Sequence, residues 1–245
     1  MILTLNPDLS MAMVNPSLTP PPLHGYRGEP AAGSSVRPLG LTVAISRESG
    51  ARGGSIAKRV ARLLGWQVFN QEMLGFLVQD ANARGELLAE VSPEVVAWAN
   101  QQVERITANR PVLTADLAEL IRMVFVLAAR GEAVIVGRGA GFLLPVDSTL
   151  NVRIVAPPDE RVAYLGQWLR MTTPEATKEM ATRDRMRAEL HHAVADRDPA
   201  DLTQYDLVLN SGRLGEVASA ELIVQAVKAK HLPTEPGDSS SEEPV

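Results

Sequence analysis

Residues 41–57 of the 245-residue chain read LTVAISRESGARGGSIA. The run 41–45 is apolar and partly β-branched, as in a short buried strand, and a glycine-rich segment follows it directly. From Ile56 to Leu64 apolar residues recur with helical spacing, and Gly65 marks the end of the predicted helix. This stretch therefore predicts a strand, a glycine-rich loop and a helix in succession.

The same alternation continues along the chain. Further strands are predicted at 67–69, 133–136, 150–155 and 206–209, and helices at 72–83, 93–109, 115–130, 159–170, 174–193 and 216–228. Short apolar strands separated by helices are typical of a parallel sheet covered on both faces, so the fold class is α/β. The helical stretch 72–109 is long for a simple crossover, which favours an inserted lid or a substrate-binding part.

Both ends of the chain differ in composition from this body. Residues 1–40 hold seven of the 17 prolines, and residues 233–245 consist mainly of Pro, Ser and acidic residues. Such segments bury too little apolar surface to offset the entropy lost on ordering. We expect a disordered Pro-rich arm at 1–40, a folded domain at 41–232 and a disordered acidic tail at 233–245.

Composition excludes several classes of protein. The absence of cysteine excludes a disulfide scaffold, a thiolate zinc site, a cysteine nucleophile and a cysteine-ligated iron–sulfur cluster. The longest apolar run, 123–129, is far shorter than the roughly 18 residues of a membrane helix, and no secretory signal pattern is seen. Residues 41–232 are nearly neutral, unlike a nucleic-acid-binding domain. We expect a cytoplasmic protein that binds neither nucleic acid nor membrane.

The glycine-rich segment after the first strand is a candidate phosphate site. In an open parallel sheet ligands bind beyond the carboxyl ends of the strands, and a following helix presents N–H groups to an anion. The pattern Gly-x-x-x-x-Gly-Lys-Ser/Thr is not complete, because its lysine is missing. A plain glycine-rich turn with solvated arginines is the alternative. The candidate residues are Arg47, Gly50, Ala51, Arg52, Gly53, Gly54 and Ser55, with Arg47 and Arg52 as substitutes for the lysine.

A second glycine-rich turn, Gly137-Arg-Gly-Ala-Gly141, follows the predicted strand 133–136 directly. Because the carboxyl ends of parallel strands share one edge of the sheet, both turns are expected to face the same crevice. Arg138 is the candidate anion ligand in this turn. It could instead be an exposed arginine that pairs with a surface acid.

A third segment, Arg183-Asp-Arg-Met-Arg187, lies on a predicted helix. Arg183 and Arg187 share a helix face and repel each other unless an anion or an acid lies between them. A bound polyphosphate would relieve that repulsion. Ion pairs of Glu179 with Arg183 and of Asp184 with Arg187 are the alternative. A metal site is not expected here, because His191 and His192 point to different sides of the helix.

Taken together, these segments resemble the nucleoside monophosphate kinases, and most closely the cytidylate kinase-like branch, over about residues 41–230. The resemblance rests on 45–58, on 137–145, on 151–161, on the arginines at 183–188 and on the strand 206–211. It implies a three-layer α/β/α P-loop kinase fold. That fold would have a five-stranded parallel sheet, a helical insertion for the nucleoside monophosphate at about 71–113 and a helical lid at about 172–203.

The resemblance also implies phosphoryl transfer from Mg-ATP to CMP or dCMP. The first loop would hold the ATP phosphates, and Ser55 would contact Mg²⁺. Arg138, flanked by Gly137 and Gly141, would bind the acceptor. Arg183, Asp184, Arg185 and Arg187 would close over the transferring phosphoryl group.

Three positions depart from the family pattern. Gly53, or Gly54 if the alignment shifts by one, stands in place of the loop lysine, and Gly139 stands where the family usually has Asp. The third departure is Asn70-Gln71-Glu72, where Asp-Lys-Glu is common. Two alternatives therefore remain: a nucleotide-binding regulatory protein without turnover, and a kinase for a non-nucleotide acceptor. Small nucleotides are the expected partners, and the oligomeric state is left open.

Overall fold

A computed structural model describes residues 40–108, 114–195 and 198–231. The expected disorder of 1–40 and 233–245 falls, apart from Gly40, outside these residues. The helices are α1 (Gly53–Leu64), α2 (Gln71–Gln79), α3 (Ala81–Ala89), α4 (Pro93–Ala108), α5 (Ala115–Arg130), α6 (Ala140–Leu143), α7 (Pro158–Leu169), α8 (Thr173–Ala195) and α9 (Ser211–His231). Among the described residues, no helix is both long enough and apolar enough to cross a bilayer.

Five parallel strands form one sheet, as predicted. They are β1 (Thr42–Arg47), β2 (Gln67–Phe69), β3 (Ala133–Val136), β4 (Thr149–Val155) and β5 (Leu207–Asn210). Their order in the sheet is β2-β3-β1-β4-β5, and every neighbouring pair is parallel. The predicted α/β class is confirmed.

The core lies where α1 and α9 pack against one face of the sheet. Val43 of β1 is in register with Val134 and Leu150 of the adjacent strands, and all three side chains are buried. Ile56 of α1 and Ile223 of α9 join the same apolar cluster. α6 lies on the opposite face, near β1 and β4. Since β1 is the central strand, the chain segments that leave its carboxyl end are flanked by those of β3 and β4.

The segment 72–130 forms a compact unit of its own, built from α2 to α5. The predicted helix 72–83 is wrong in its extent, because Asp80 separates α2 from α3. The Asp80 carboxylate accepts hydrogen bonds from the N–H groups of Asn82 and Ala83, both at 2.9 Å, and so begins a new helix. Trp98 and Phe125 join α4 to α5 with ring centroids 5.4 Å apart. The role of this unit in acceptor binding stays a prediction.

The last helix is also longer than predicted. α9 begins at Ser211, and a kink at Gly215, where φ is 73° and ψ is 173°, separates its first turn from the rest. Asn210 Oδ1 accepts from the N–H groups of Gly212 (3.1 Å) and Arg213 (3.2 Å) and so caps that turn. Apolar residues recur with helical spacing only after the kink, so the sequence pattern does not indicate a helical turn at 211–215.

Two glycines in left-handed conformations test how strongly the backbone is constrained. Gly131 has φ of +72°, and a Cβ there would lie 2.5 Å from Gly40 Cα, whereas Gly65 has φ of +74° in open space. We expect Gly65→Ala to lower the free energy of unfolding by about 1 kcal/mol, the cost of the dihedral alone. Gly131→Ala should cost at least twice as much, because the clash adds to it. Urea unfolding followed by circular dichroism measures both, and equal costs would contradict the contact with Gly40.

Candidate functional site

The loop between β1 and α1 is held in a tight turn. The Glu48 N–H donates to the Ile154 carbonyl oxygen (3.0 Å), and the Ala51 N–H donates to the Glu48 carbonyl oxygen (3.2 Å). Gly50 has φ of +81°, and a Cβ there would lie 2.8 Å from Arg161 Cα, so only glycine fits. The N–H groups of residues 53–55 precede the first hydrogen bond within α1 and therefore point out of the helix end toward any bound anion.

Arg161 lies on α7 and connects the loop both to its own helix and to α8. Its Nε donates to the Ser49 carbonyl oxygen (2.8 Å), Nη1 pairs with Glu48 Oε2 (3.0 Å), and Nη2 pairs with Asp184 Oδ2. Asp184 in turn accepts from the Ser49 N–H at 2.7 Å. The side chain of Arg161 is 9% exposed, so its charge is balanced by two carboxylates in a largely dry setting. Asp184, predicted to be catalytic, therefore connects α8 to the loop in this structure.

The second glycine-rich turn lies directly beside the first. Its Gly137 N–H donates to the Ile45 carbonyl oxygen of β1 at 2.9 Å. Gly137, Arg138 and Gly139 all have positive φ, at 81°, 61° and 71°. A non-glycine residue in this region is uncommon and is often found at functional sites. The departure at Gly139 has a steric cause, because a Cβ there would lie 2.6 Å from Val194 Cγ2 of α8.

Three predicted arginines converge where these turns meet α8. Burial, together with the charges of Arg187 and Arg138, lowers the pKa of Arg47 to about 9. Burial and the charge of Arg187 likewise lower the pKa of Arg138. Burial also lowers the pKa of Arg187, against which Asp184 acts in the opposite direction. Arg47 and Arg138 form no ion pair with any residue in the described part of the chain, and Arg138 Nε is buried there without a hydrogen-bond partner.

A cavity of about 100 Å³ opens beside this cluster. Its lining includes Arg47, Arg153 and Arg187 as cations and Glu48 and Asp184 as anions. Glu48 pairs with Arg161 and Arg153, and Asp184 pairs with Arg161 and Arg187, so the arginines around the cavity outnumber the carboxylates and positive charge is in excess. The arrangement suits an anion with several oxygen atoms, such as a phosphate.

Arg153 was not singled out from the sequence. It lies on β4, donates from Nη1 to Ser46 Oγ (2.9 Å) and lines the cavity. A charged residue within an apolar strand, TLNVRIV, was the available signal, because such a residue is rarely buried without a partner or a ligand.

The structure does not bring every predicted residue to the cavity. Arg52 is exposed and lies over the Tyr164 ring, 5.2 Å from its centroid. The Arg185 side chain is 70% exposed and approaches Glu189 at 3.9 Å. Both ion pairs considered as alternatives are present, Glu179 with Arg183 at 2.6 Å and Asp184 with Arg187 at 3.2 Å. Arg187 nevertheless still faces the cavity.

The remaining predicted residues lie at the edges of the site. Gly141 packs against Asn151, whose Nδ2 donates to the Gly141 carbonyl oxygen at 3.1 Å. Ser55 is half-buried in the first turn of α1. Its hydroxyl is the kind of oxygen ligand that Mg²⁺ accepts. Among the described residues, no group of three or more His, Cys, Asp or Glu side chains has the arrangement of a metal site.

The excess of positive charge also acts on His191, which lines the same cavity. Burial, with the charges of Arg153 and Arg47, lowers the pKa of His191 from 6.5 to about 4. The unfolded chain therefore binds a proton between pH 6.5 and 4 that the folded chain does not, and stability falls as the pH falls through this window.

We expect His191→Gln to remove that dependence. Between pH 7 and pH 4.5, the wild type should lose about 2 kcal/mol of unfolding free energy more than the variant does. Urea unfolding at both pH values measures the difference. His192→Gln is the control, because His192 is exposed. Parallel pH profiles for wild type and His191→Gln would show that His191 is not the group responsible.

The amino-acid sequence matches a known protein family. Residues 42–213 match the sequence model of the cytidylate kinase-like family. A protein named uronate isomerase from Corynebacterium glutamicum is 27% identical over 134 residues, which are 54% of this chain and 26% of that protein. The chain thus spans about a quarter of the length of this relative.

Solved structures are similar in three dimensions. An uncharacterized protein from Eubacterium ventriosum aligns over 77% of this chain and 99% of its own, with a TM-score of 0.55 and 19% identity. TT1252 from Thermus thermophilus aligns over 79% of this chain and 99% of its own, with a TM-score of 0.46 and 18% identity. The first of these likenesses bears on the fold alone.

Proposed function

Because the chain belongs to the cytidylate kinase-like family, whose model matches residues 42–213, we propose that it is a phosphotransferase. In this proposal it transfers the γ-phosphoryl group of ATP to CMP or dCMP. The convergence of Arg47 and Arg187 on one cavity, with Arg138 close enough for its charge to lower the pKa of Arg47, is the observation that supports the proposal most directly. Buried cations without matching carboxylates are costly, and an anionic substrate offsets that cost.

The donor would bind at the first loop. The outward N–H groups at the start of α1 suit the ATP phosphates, and Gly50 keeps the loop narrow. Ser55 would contribute an oxygen ligand to Mg²⁺. When bound, Mg²⁺ neutralises charge on the donor phosphates.

The reaction balances with groups that the substrates supply. An oxygen of the acceptor phosphate forms a bond to the γ-phosphorus, and the bond from that phosphorus to the β,γ-bridging oxygen breaks. ADP leaves with the electron pair. A dianionic phosphate acceptor has no proton to lose, so the protein needs no general base. Its residues hold the two substrates in line and stabilise the charge on the transferring group.

The acceptor would lie at the second turn and α8. Arg138, at a backbone position with positive φ, would donate to the acceptor phosphate, and Arg187 would approach it from α8. Forked guanidinium donors match the oxygen atoms of a phosphate well.

A second candidate is a kinase for a sugar acid. The same cationic cavity suits a carboxylate, and the similarity to part of a protein named uronate isomerase favours testing uronates. In that case a hydroxyl oxygen attacks the γ-phosphorus, and its proton passes to solvent as ADP leaves.

The deciding experiment is a coupled ADP-release assay on the full chain with Mg-ATP. CMP, dCMP, UMP, AMP, GMP and a uronate are offered in turn. A preference for CMP or dCMP supports the proposal, and turnover with the uronate alone moves it to the second candidate. Binding of Mg-ATP without turnover on any acceptor would instead indicate a regulatory nucleotide-binding protein.

Two cations of α8, Arg187 in the lining of the cavity and Lys178 on the exposed surface, give a specific prediction. Arg187→Ala should lower kcat about 100-fold or more, because it removes a cation from the transferring charge. Lys178→Ala, an exposed cation on the same helix, should stay within about twofold of the wild type. Steady-state ADP release measures both. Equal effects of the two variants would remove Arg187 from the proposed mechanism.

A further inference from the structure

With Gly53 aligned to the lysine of the P-loop pattern, the loop departs from that pattern at residues 47, 52, 53 and 54, and the departures at Arg47 and Gly53 are linked. In Gly-x-x-x-x-Gly-Lys, the first glycine and the lysine are six residues apart, and the lysine reaches the β- and γ-phosphates. Arg47 and Gly53 are also six residues apart. The chain thus has a cation where the pattern has glycine, and glycine where the pattern has a cation.

The two side-chain positions compete for the same space. A Cβ built on Gly53 would lie 2.7 Å from Arg47 Cβ, 2.9 Å from Cγ and 3.6 Å from Cδ. Contacts below 3.0 Å are not tolerated without movement, so Arg47 covers the place where a side chain at residue 53 would begin. A Cβ on Gly54 would meet nothing within 4 Å. Gly53, and not Gly54, is therefore the position that Arg47 covers.

The guanidinium group of Arg47 lies at the centre of the site. It leaves the end of β1, passes Gly53 and reaches Gly137, where a Cβ would lie 3.2 Å from Arg47 Cζ. It lines the cavity that Arg153 and Arg187 share. In the described part of the chain it forms no ion pair, so its donors are available to a ligand.

We propose that Arg47 and Gly53 exchange the roles of the P-loop glycine and lysine, so that the Arg47 guanidinium binds the donor phosphates from the strand side. The inference rests on the proposed function and names the residue that supplies the missing loop charge. It explains why residue 53 is glycine: any side chain there would displace the arginine. Arg47 keeps its charge and presents a planar fork, so it can contact two phosphate oxygens at once.

The test is a double-mutant cycle on the full chain. Arg47→Gly should lower kcat about 100-fold or more and weaken Mg-ATP binding. Gly53→Lys alone should also be impaired, because the new side chain collides with Arg47. The double variant Arg47→Gly/Gly53→Lys moves the cation from residue 47 to residue 53 and should recover at least tenfold of the activity that Arg47→Gly loses. Arg47→Gly/Gly54→Lys is the control and should recover none.

Two measurements accompany each variant. Circular dichroism melting establishes folding, and isothermal titration with Mg-ATP and with inorganic triphosphate measures binding without turnover. If the wild type binds both but shows no ADP release, the proposed function fails, and the cycle is decided on binding alone. If Arg47→Gly binds and turns over as the wild type does, the inference is overturned. It is also overturned if the folded double variant recovers nothing.

If the double variant does not fold, a further pair of variants tests the inference about Arg47. Arg47→Met keeps the stem over Gly53 and removes the charge, and Arg62→Met removes an exposed cation from α1. A loss of about 100-fold in kcat, or of tenfold in Mg-ATP affinity, for Arg47→Met alone supports the inference. Equal values for the two variants overturn it.

Discussion

The burial of three arginine side chains close to one another is the constraint on which the rest of this site depends. Arg47, Arg138 and Arg187 come from a strand, a turn and a helix, and burial lowers the pKa of each. Folding brings like charges together only when other interactions offset the cost. The core between α1, α9 and the sheet supplies much of that stability, and a bound anion would remove the repulsion.

Arg161 has a structural role in the same region of the protein. Its guanidinium is matched by Glu48 and Asp184, so it holds the loop and α8 without adding to the excess charge of the cavity. Arg161 is thus paired within the protein and fixes the geometry of the loop, and Arg187 shares Asp184 with it. Arg47 and Arg138 have no carboxylate partner in the described part of the chain and are available to a ligand. Removing a partner of Arg161 would leave a buried charge uncompensated, which is far more costly than losing a surface ion pair.

Glycine makes the close approach of the two turns possible. Gly50 lies against Arg161, Gly53 against Arg47 and Gly137 against the guanidinium of Arg47, and each contact leaves no room for a Cβ. The same atoms that narrow the loop thus define where Arg47 lies. An arginine leaving the end of β1 can reach the cavity only because residues on both sides of its stem lack side chains.

Much of the fold and part of the site could be predicted from the sequence. The five strands, the parallel sheet and both glycine-rich turns follow from apolar spacing and from glycine positions, which are local properties of the chain. Arg47 and Arg138 could be identified because charged residues next to such turns must lie near one edge of the sheet. Arg187 could be identified because it shares a helix face with another arginine, Arg183. The break at Asp80 was missed, since apolar residues continue on both sides of it and only the side-chain cap reveals the new helix.

Contacts between segments that are distant in the sequence depend on the tertiary structure. Arg161 and Ser49 are 112 residues apart, and no spacing in the chain indicates that they touch. Arg183 and Arg187 share a helix face in the sequence pattern, yet the packing of α8 brings only Arg187, of these two, into the lining of the cavity. Arg185 is exposed. Periodicity along a chain specifies which face of an element is apolar. Which side chains meet across elements depends on packing, and packing is a property of the whole fold.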